Sequence, residues 1–139
     1  MAWNGADMRC ITLQTSSDAR AAQWRIMDLA TSAANVCDFA AAGRGYGVVV
    51  NNPNAGEAAS VAVDGSVRVQ AGSGGSAIGD WITSAASGFA TKVNSGAAGP
   101  IRVLGVARSS AASGSLFTLD MTHRFTIPAC GTAAVGGIA

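Results

Sequence analysis

The sequence predicts a mainly β protein, a small single-domain β-barrel or sandwich of antiparallel hairpins with little helix. Residues 46–70, followed directly by residues 77–89, contain short apolar runs separated by turn residues, with no helical stretch between them. Residues 116–125 alternate apolar and polar side chains, the pattern of a strand with one buried face. A chain of 139 residues fits one domain. We expect an N-terminal arm over residues 1–22, a β-rich domain over 23–125 and a tail over 126–139.

The composition predicts a core with few large apolar side chains. The hydrophobic fraction is 49%, but alanine supplies much of it and only 6% of the residues are aromatic. The 18 glycines add backbone entropy that folding must overcome. We therefore expect part of the stability to come from neighbouring protein chains, because binding to the folded form stabilises it by mass action.

The charge distribution argues against nucleic acid as a partner. The net charge is +1, and the eight Arg and one Lys are scattered singly, whereas nucleic-acid binding needs clustered basic residues. No apolar run approaches the ~20 residues of a membrane helix, so no membrane association is expected. Asp7 and Arg9 stand where a signal peptide needs its apolar core.

The three cysteines, Cys10, Cys37 and Cys130, are odd in number and widely spaced. This spacing suggests neither a disulfide framework nor a zinc site. We expect reduced, small, buried side chains in a protein made in the cytosol, with no metal and no cofactor.

The N-terminal third predicts a strand and a hairpin. Met8–Thr15 is the first predicted strand, and residues 16–23 are compatible with a capped helical turn or a loop. Residues 23–29 and 35–39 form a predicted hairpin across residues 31–34. The glycine-rich residues 43–47 precede a strand and a turn rather than a helix, which excludes a dinucleotide-binding loop.

Residues 59–69 predict a bulged hairpin. The valines at positions 61, 63, 67 and 69 all fall on odd numbers around Asp64 and Gly65. A three-residue turn with Gly65 in the left-handed conformation would place all four valines on one face. Arg68 and Gln70 would then face away from the core.

The C-terminal half predicts a second hairpin and two longer strands. Residues 79–83 and 89–93 form the hairpin. Trp81 and Phe89 of this hairpin either form a platform that binds a ligand or plug the sheet as buried side chains. We favour the second interpretation. Residues 100–107 predict a buried strand, in which Gly105 marks a bulge or the close approach of another backbone. Residues 116–125 predict the last strand.

The sequence gives no reason to expect catalysis. His123, the one histidine, lies on the apolar face of its predicted strand, without a recognisable nucleophile or metal-ligand spacing around it. The eight carboxylates lie mostly in turns or on polar strand faces, and a glycosidase would need two that face each other. We therefore expect a binding or structural protein rather than an enzyme.

Three blocks of sequence carry a family resemblance. Residues 48–69 (VVVNNPNAGEAASVAVDGSVRV), residues 78–88 (IGDWITSAASG) and residues 104–114 (LGVARSSAASG) occur in this order. Together they resemble the capsid decoration, or cement, proteins of tailed bacteriophages. The resemblance covers residues 23–121, and it rests on strands and turns rather than on a chemical signature.

The resemblance implies a location on the virion, at the outer surface of the capsid, after synthesis in the host cytoplasm. Its implied partner is the major capsid protein, and a homotrimer is the implied assembly. Such a protein bridges capsid subunits and stabilises the head against the pressure of packaged DNA, since many weak contacts act together.

We expect the N-terminal residues to contact the capsid. Trp3 is either an aromatic anchor or folds back on its own domain, and the first strand could extend a neighbouring sheet. The predicted contact residues are Trp3, Met8, Arg9, Cys10, Ile11, Thr12 and Leu13. Two alternatives stay open: a phage fibre-associated or receptor-binding module, and a small hydrolase that depends on His123 or an acidic pair.

Overall fold

The computed structural model describes residues 8–94, 100–122 and 124–127. These ranges form a mainly β fold with one short 3₁₀ turn, Ala86–Gly88, which confirms the predicted fold class. No helix in them is long and apolar enough to cross a membrane. The strands are β1 (Met8–Thr15), β2 (Ile26–Leu29), β3 (Val36–Phe39), β4 (Gly47–Val49), β5 (Ala58–Gln70), β6 (Trp81–Ser84), β7 (Ala90–Lys92), β8 (Ile101–Val103), β9 (Gly105–Ala107), β10 (Leu116–Asp120) and β11 (Phe125–Ile127).

The first five strands form a closed barrel. The pairing order is β1, β3, β2, β4 and β5, and β1 also pairs with β5, which closes the sheet on itself. The β1–β5 pair is antiparallel along almost all of β1, whereas β1 and β3 are parallel and share a ladder only at Gln14 and Thr15. Buried apolar side chains fill the barrel, among them Leu13, Met27, Cys37, Val49 and Val61.

A second β layer packs against the barrel. It contains the C-terminal half of β5 followed by β10, β9, β6 and β7. A second core joins Ile26 and Val48 of the barrel to Ile82 and Leu119 of this layer, and it also contains Leu104, which lies between β8 and β9. Strands β8 and β11 form a separate two-stranded ribbon. The domain thus combines the two predicted architectures, a barrel and a sandwich.

The hairpin predicted over residues 59–69 is wrong, because β5 is one continuous strand of 13 residues. Its partner changes at Gly65: Met8 of β1 pairs with Gly65, and Asp120 of β10 pairs with Ser66. Gly65 has a φ of 87°, and its N–H bonds to the side chain of Asp64, so the strand bends here without reversing. All four valines are buried because the first two contact the barrel core and the last two the interlayer core.

The other hairpins form as predicted. β2 pairs with β3, and β6 pairs with β7 across the 3₁₀ turn. Residues 16–23 form a loop, in which the Asp18 carboxylate accepts hydrogen bonds from the backbone and side chain of Arg20. β1 belongs to the barrel wall, although it lies within the expected N-terminal arm.

Two predicted strands are shorter than expected. Residues 100–107 divide at Leu104 into β8 and β9. Residues 116–125 divide because β10 ends at Asp120, whose carboxylate accepts hydrogen bonds from the N–H and hydroxyl of Thr122 and so forms a turn. The close backbone approach predicted at Gly105 is confirmed, since a Cβ built there would overlap the carbonyl oxygen of Asp120.

Candidate docking surfaces

The first candidate surface is the outer edge of β1. β5 covers one edge of this strand from Met8 to Gln14. β3 covers the other edge at Gln14 and Thr15 and begins only at Val36, so within the described ranges residues 8–13 have no strand on this side. A cleft of about 380 Å³, lined in part by Thr12, Ala34 and Gly56, lies beside the uncovered edge.

Most of the predicted contact residues lie along this open part of β1. The side chains of Arg9, Cys10 and Thr12 are exposed, and those of Met8 and Ile11 are half-buried. Leu13 is buried in the barrel core and pairs with Ala59 of β5. Trp3, the predicted aromatic anchor, lies outside the described residues.

The second candidate surface is an exposed aromatic pair that the sequence did not predict. Trp81 is 51% exposed and Phe125 is 40% exposed. Their rings meet edge to face, with centroids 5.1 Å apart and an interplanar angle of 87°. The edge-to-face arrangement is one that aromatic rings favour. The contact with Phe125 holds the exposed indole of Trp81 in place.

The prediction that Trp81 plugs the sheet is therefore wrong. Trp81 lies opposite Val106 of β9, whereas the next residue, Ile82, enters the interlayer core. Successive side chains of a strand face opposite sides, so the burial of Ile82 turns Trp81 outwards. Phe89 is half-buried, with the guanidinium of Arg25 4.1 Å from its ring centroid.

A third exposed apolar side chain lies close to Trp81 in sequence. Ile78 is 71% exposed at a tight turn, where the N–H of Asp80 bonds to the carbonyl of Ala77 and Gly79 has a φ of 90°. The Asp80 carboxylate accepts the N–H of Ala77, and the N–H of Gly79 bonds to Ala107, so the turn is held against β9. The turn sequence Ile-Gly-Asp-Trp, residues 78–81, was the feature of the sequence from which this exposed surface could have been predicted.

Arginines attach the β8–β11 ribbon to the barrel. The carboxylate of Asp28 is 2.9 Å from both Arg44 Nε and Arg102 Nη1, and its side chain is only 12% exposed. Arg124 donates to the carbonyls of Val63 and Tyr46, at 2.8 and 2.6 Å. Burial lowers the pKa of Arg124, and these carbonyls supply the hydrogen bonds that a desolvated guanidinium needs.

The described residues contain no cluster of three or more His, Cys, Asp or Glu that could bind a metal ion. His123 lies outside the described ranges, as does Cys130. The expectation of buried cysteines is confirmed for Cys37 and wrong for Cys10, which is exposed. Burial, with a smaller effect from the neighbouring Asp38, raises the pKa of the Cys37 thiol, so this group is poorly suited to nucleophilic chemistry.

The features described so far define a β scaffold with two exposed candidate docking surfaces, the outer edge of β1 and the Trp81–Phe125 pair. Among solved structures, the N base of head fibre gp8.5 of bacteriophage phi29 is similar to this chain, with a TM-score of 0.65 and 23% sequence identity. The similarity covers 83% of this chain and 94% of that chain, and it establishes a shared fold. No protein-family model matches the sequence, and a search of curated proteins finds no match.

Proposed function

We propose that this protein is a structural component of a bacteriophage head that binds the outer surface of the assembled capsid. In this proposal it acts as a decoration protein, which stabilises the shell against the internal pressure of DNA. The observation that carries the proposal is the fold shared with the N base of a phage head fibre over 94% of that chain. The sequence blocks at residues 48–69, 78–88 and 104–114 resemble decoration proteins and support the same class independently.

The surface chemistry suits a protein partner. Only 12% of the residues are charged, about half the usual share, so close contact with another protein desolvates few ions. Several exposed apolar groups, among them Ile78, Trp81 and Phe125, are of the kind that anchor interfaces. We propose that this aromatic surface, together with Trp3 and residues 8–13, contacts the major capsid protein.

A second candidate function is the capsid-attached base of a fibre. The name of the similar solved structure, a head fibre N base, favours this candidate. A decoration protein would stabilise heads when it occupies all of its binding sites on the capsid. A fibre base would bind heads without changing their resistance to heat or pressure, and would carry a further module.

Co-sedimentation with heads tests the proposal. We expect the purified chain to sediment with expanded heads of its own phage and not with immature ones, since a decoration protein recognises the mature arrangement of subunits. Binding should also raise the temperature at which filled heads release DNA. Binding without that increase would favour the fibre base, and failure to bind either form of the head would contradict both candidates.

A further inference from the structure

The direction of the backbone groups in β1 follows from three hydrogen bonds. The N–H groups of Gln14 and Ser16 bond to carbonyls on the β3 side, those of Asn35 and Cys37, at 3.0 and 2.9 Å. The N–H of Thr15 bonds to Glu57 at the start of β5, at 3.0 Å. Because backbone groups alternate sides along a strand, the N–H and C=O groups of the even-numbered residues 8, 10 and 12 face the open edge.

The open edge is not guarded against another strand. Proteins commonly protect exposed edges with charge or proline, but residues 8–13 contain no proline, and their one charged residue, Arg9, pairs with Asp64 of β5 on the other edge. Ile11 contacts the barrel core and stays half-buried because β3 begins too late to cover it. Among the residues that the structure describes, the edge therefore has no strand partner for these backbone groups, and it offers an apolar side chain that a neighbouring strand would cover.

We infer that, in the free protein, this edge pairs antiparallel with the same edge of a second copy. Residues 8, 10 and 12 form a self-complementary set around a two-fold axis at Cys10. In that register Cys10 lies opposite the partner's Cys10, and Met8 lies opposite the partner's Thr12. All the edge-facing backbone groups of residues 8, 10 and 12 are then hydrogen-bonded in both copies.

Two properties of this pairing are distinctive. A hydrogen-bonded antiparallel pair has its Cα atoms about 5.5 Å apart, a separation at which a disulfide can form, so the exposed Cys10 thiols would be able to join. The pairing also has two-fold symmetry. It therefore predicts a dimer in solution, whereas the sequence resemblance implies a homotrimer.

Disulfide mapping tests the register in the full chain carrying Cys130→Ser, with Cys37 buried in the barrel. After mild oxidation we expect a dimer joined through Cys10, identified by mass spectrometry of peptides from the non-reduced protein. Equilibrium sedimentation under reducing conditions should give the mass of a dimer. A monomer or a trimer in sedimentation, or no Cys10 to Cys10 linkage, would overturn the inference.

A proline variant distinguishes dimers that form through the β1 edge from disulfide-linked dimers that form by random collision. Thr12→Pro removes an N–H that faces the open edge and is not bonded to β5, a position at which strands tolerate proline. We expect it to weaken dimerisation at least ten-fold, while Thr12→Val, which keeps the N–H, dimerises like the parent. Equal dimerisation of the two variants would contradict the pairing. If Thr12→Pro fails to fold, the disulfide map decides. These measurements need no phage heads, so their outcome is independent of the proposed function.

Discussion

Gly105 of β9 lies against the backbone of Asp120, so closely that a Cβ at position 105 would overlap the Asp120 carbonyl oxygen. Both residues belong to the second layer, where β9 runs beside β10. The atoms that the Cβ would meet are all backbone atoms of Asp120 and Met121, which cannot move aside like the end of a flexible side chain. Position 105 therefore requires glycine for steric reasons rather than for its dihedral angles.

We predict that Gly105→Ala lowers the free energy of unfolding by about 3 kcal/mol, at the upper end of the cost of overpacking. Gly74→Ala is the control, because a Cβ there meets nothing within 4 Å but the residue has a φ of 92°. The control should cost only about 1 kcal/mol, the penalty of the left-handed conformation. Equal losses in urea unfolding would contradict the steric explanation.

Asp28 should matter more to stability than Asp18. Asp28 is shielded from solvent and holds both Arg44 and Arg102, whereas Asp18 pairs at the surface with Arg20. We expect Asp28→Asn to lower the free energy of unfolding by about 1–2 kcal/mol, since two charge-assisted hydrogen bonds weaken at once. Asp18→Asn should leave the unfolding midpoint unchanged, and a comparable loss in both variants would show that shielding is irrelevant here.

The buried thiol of Cys37 should make stability depend on pH in alkaline solution. Burial raises its pKa in the folded protein above the unfolded value of about 8.5, so the folded state binds the proton more tightly. The contribution is complete below about pH 8.5 and is lost as the pH rises through the folded-state pKa. Chemical unfolding between pH 7 and 10 should show a steeper decline for the parent than for Cys37→Ala, with Cys10→Ala as the control for loss of a thiol.

The aromatic pair should contribute to binding rather than to folding. Trp81→Ala removes an exposed ring, so we expect an unfolding midpoint close to that of the parent and at least ten-fold weaker binding to expanded heads, as for an interface anchor. Leu29→Ala, which truncates a 42% exposed leucine on the barrel, is the matched control. Undiminished head binding by the Trp81 variant would remove this surface from the proposal.

Edge pairing and shell contact should compete, because we propose both for residues 8–13. A dimer oxidised through Cys10 should bind expanded heads at least ten-fold more weakly than the same protein after reduction. The Cys10→Ser protein, treated with the same oxidant, controls for other effects of oxidation. Equal binding by oxidised and reduced protein would show that the open edge of β1 takes no part in shell contact.

The sequence predicted the strands and the hairpins of this fold more accurately than the places where strands bend. Apolar runs separated by turn residues identified the β2–β3 and β6–β7 hairpins, whose strands pair with near neighbours in sequence. The position of β1 was also predicted, although its main partner, β5, lies about 50 residues away. The Asp64–Gly65 pair is compatible with a reversal or a bend, and only the distant partners β1 and β10 decide between them. Residues 116–125 were assigned too long a strand because the Asp120 side chain, not a glycine or proline, ends β10.

The candidate surfaces were only partly predictable. The sequence identified β1, but the open edge depends on where β3 begins, which local pattern does not specify. Trp81 was expected to be buried because of its size. Ile82, the next residue of the strand, is buried instead, and Trp81 therefore faces outwards. The contact between Trp81 and Phe125 joins residues 44 positions apart, and no periodicity encodes it.

The continuity of β5 has a mechanical consequence. This strand forms part of the barrel wall in its first half and part of the second layer in its second half, so the two layers share one length of covalent backbone. A load that pulls one layer away from the other is borne along β5 by peptide bonds, not solely by the apolar contacts between the layers. Such a domain should yield by peeling its outer strands before its two halves part.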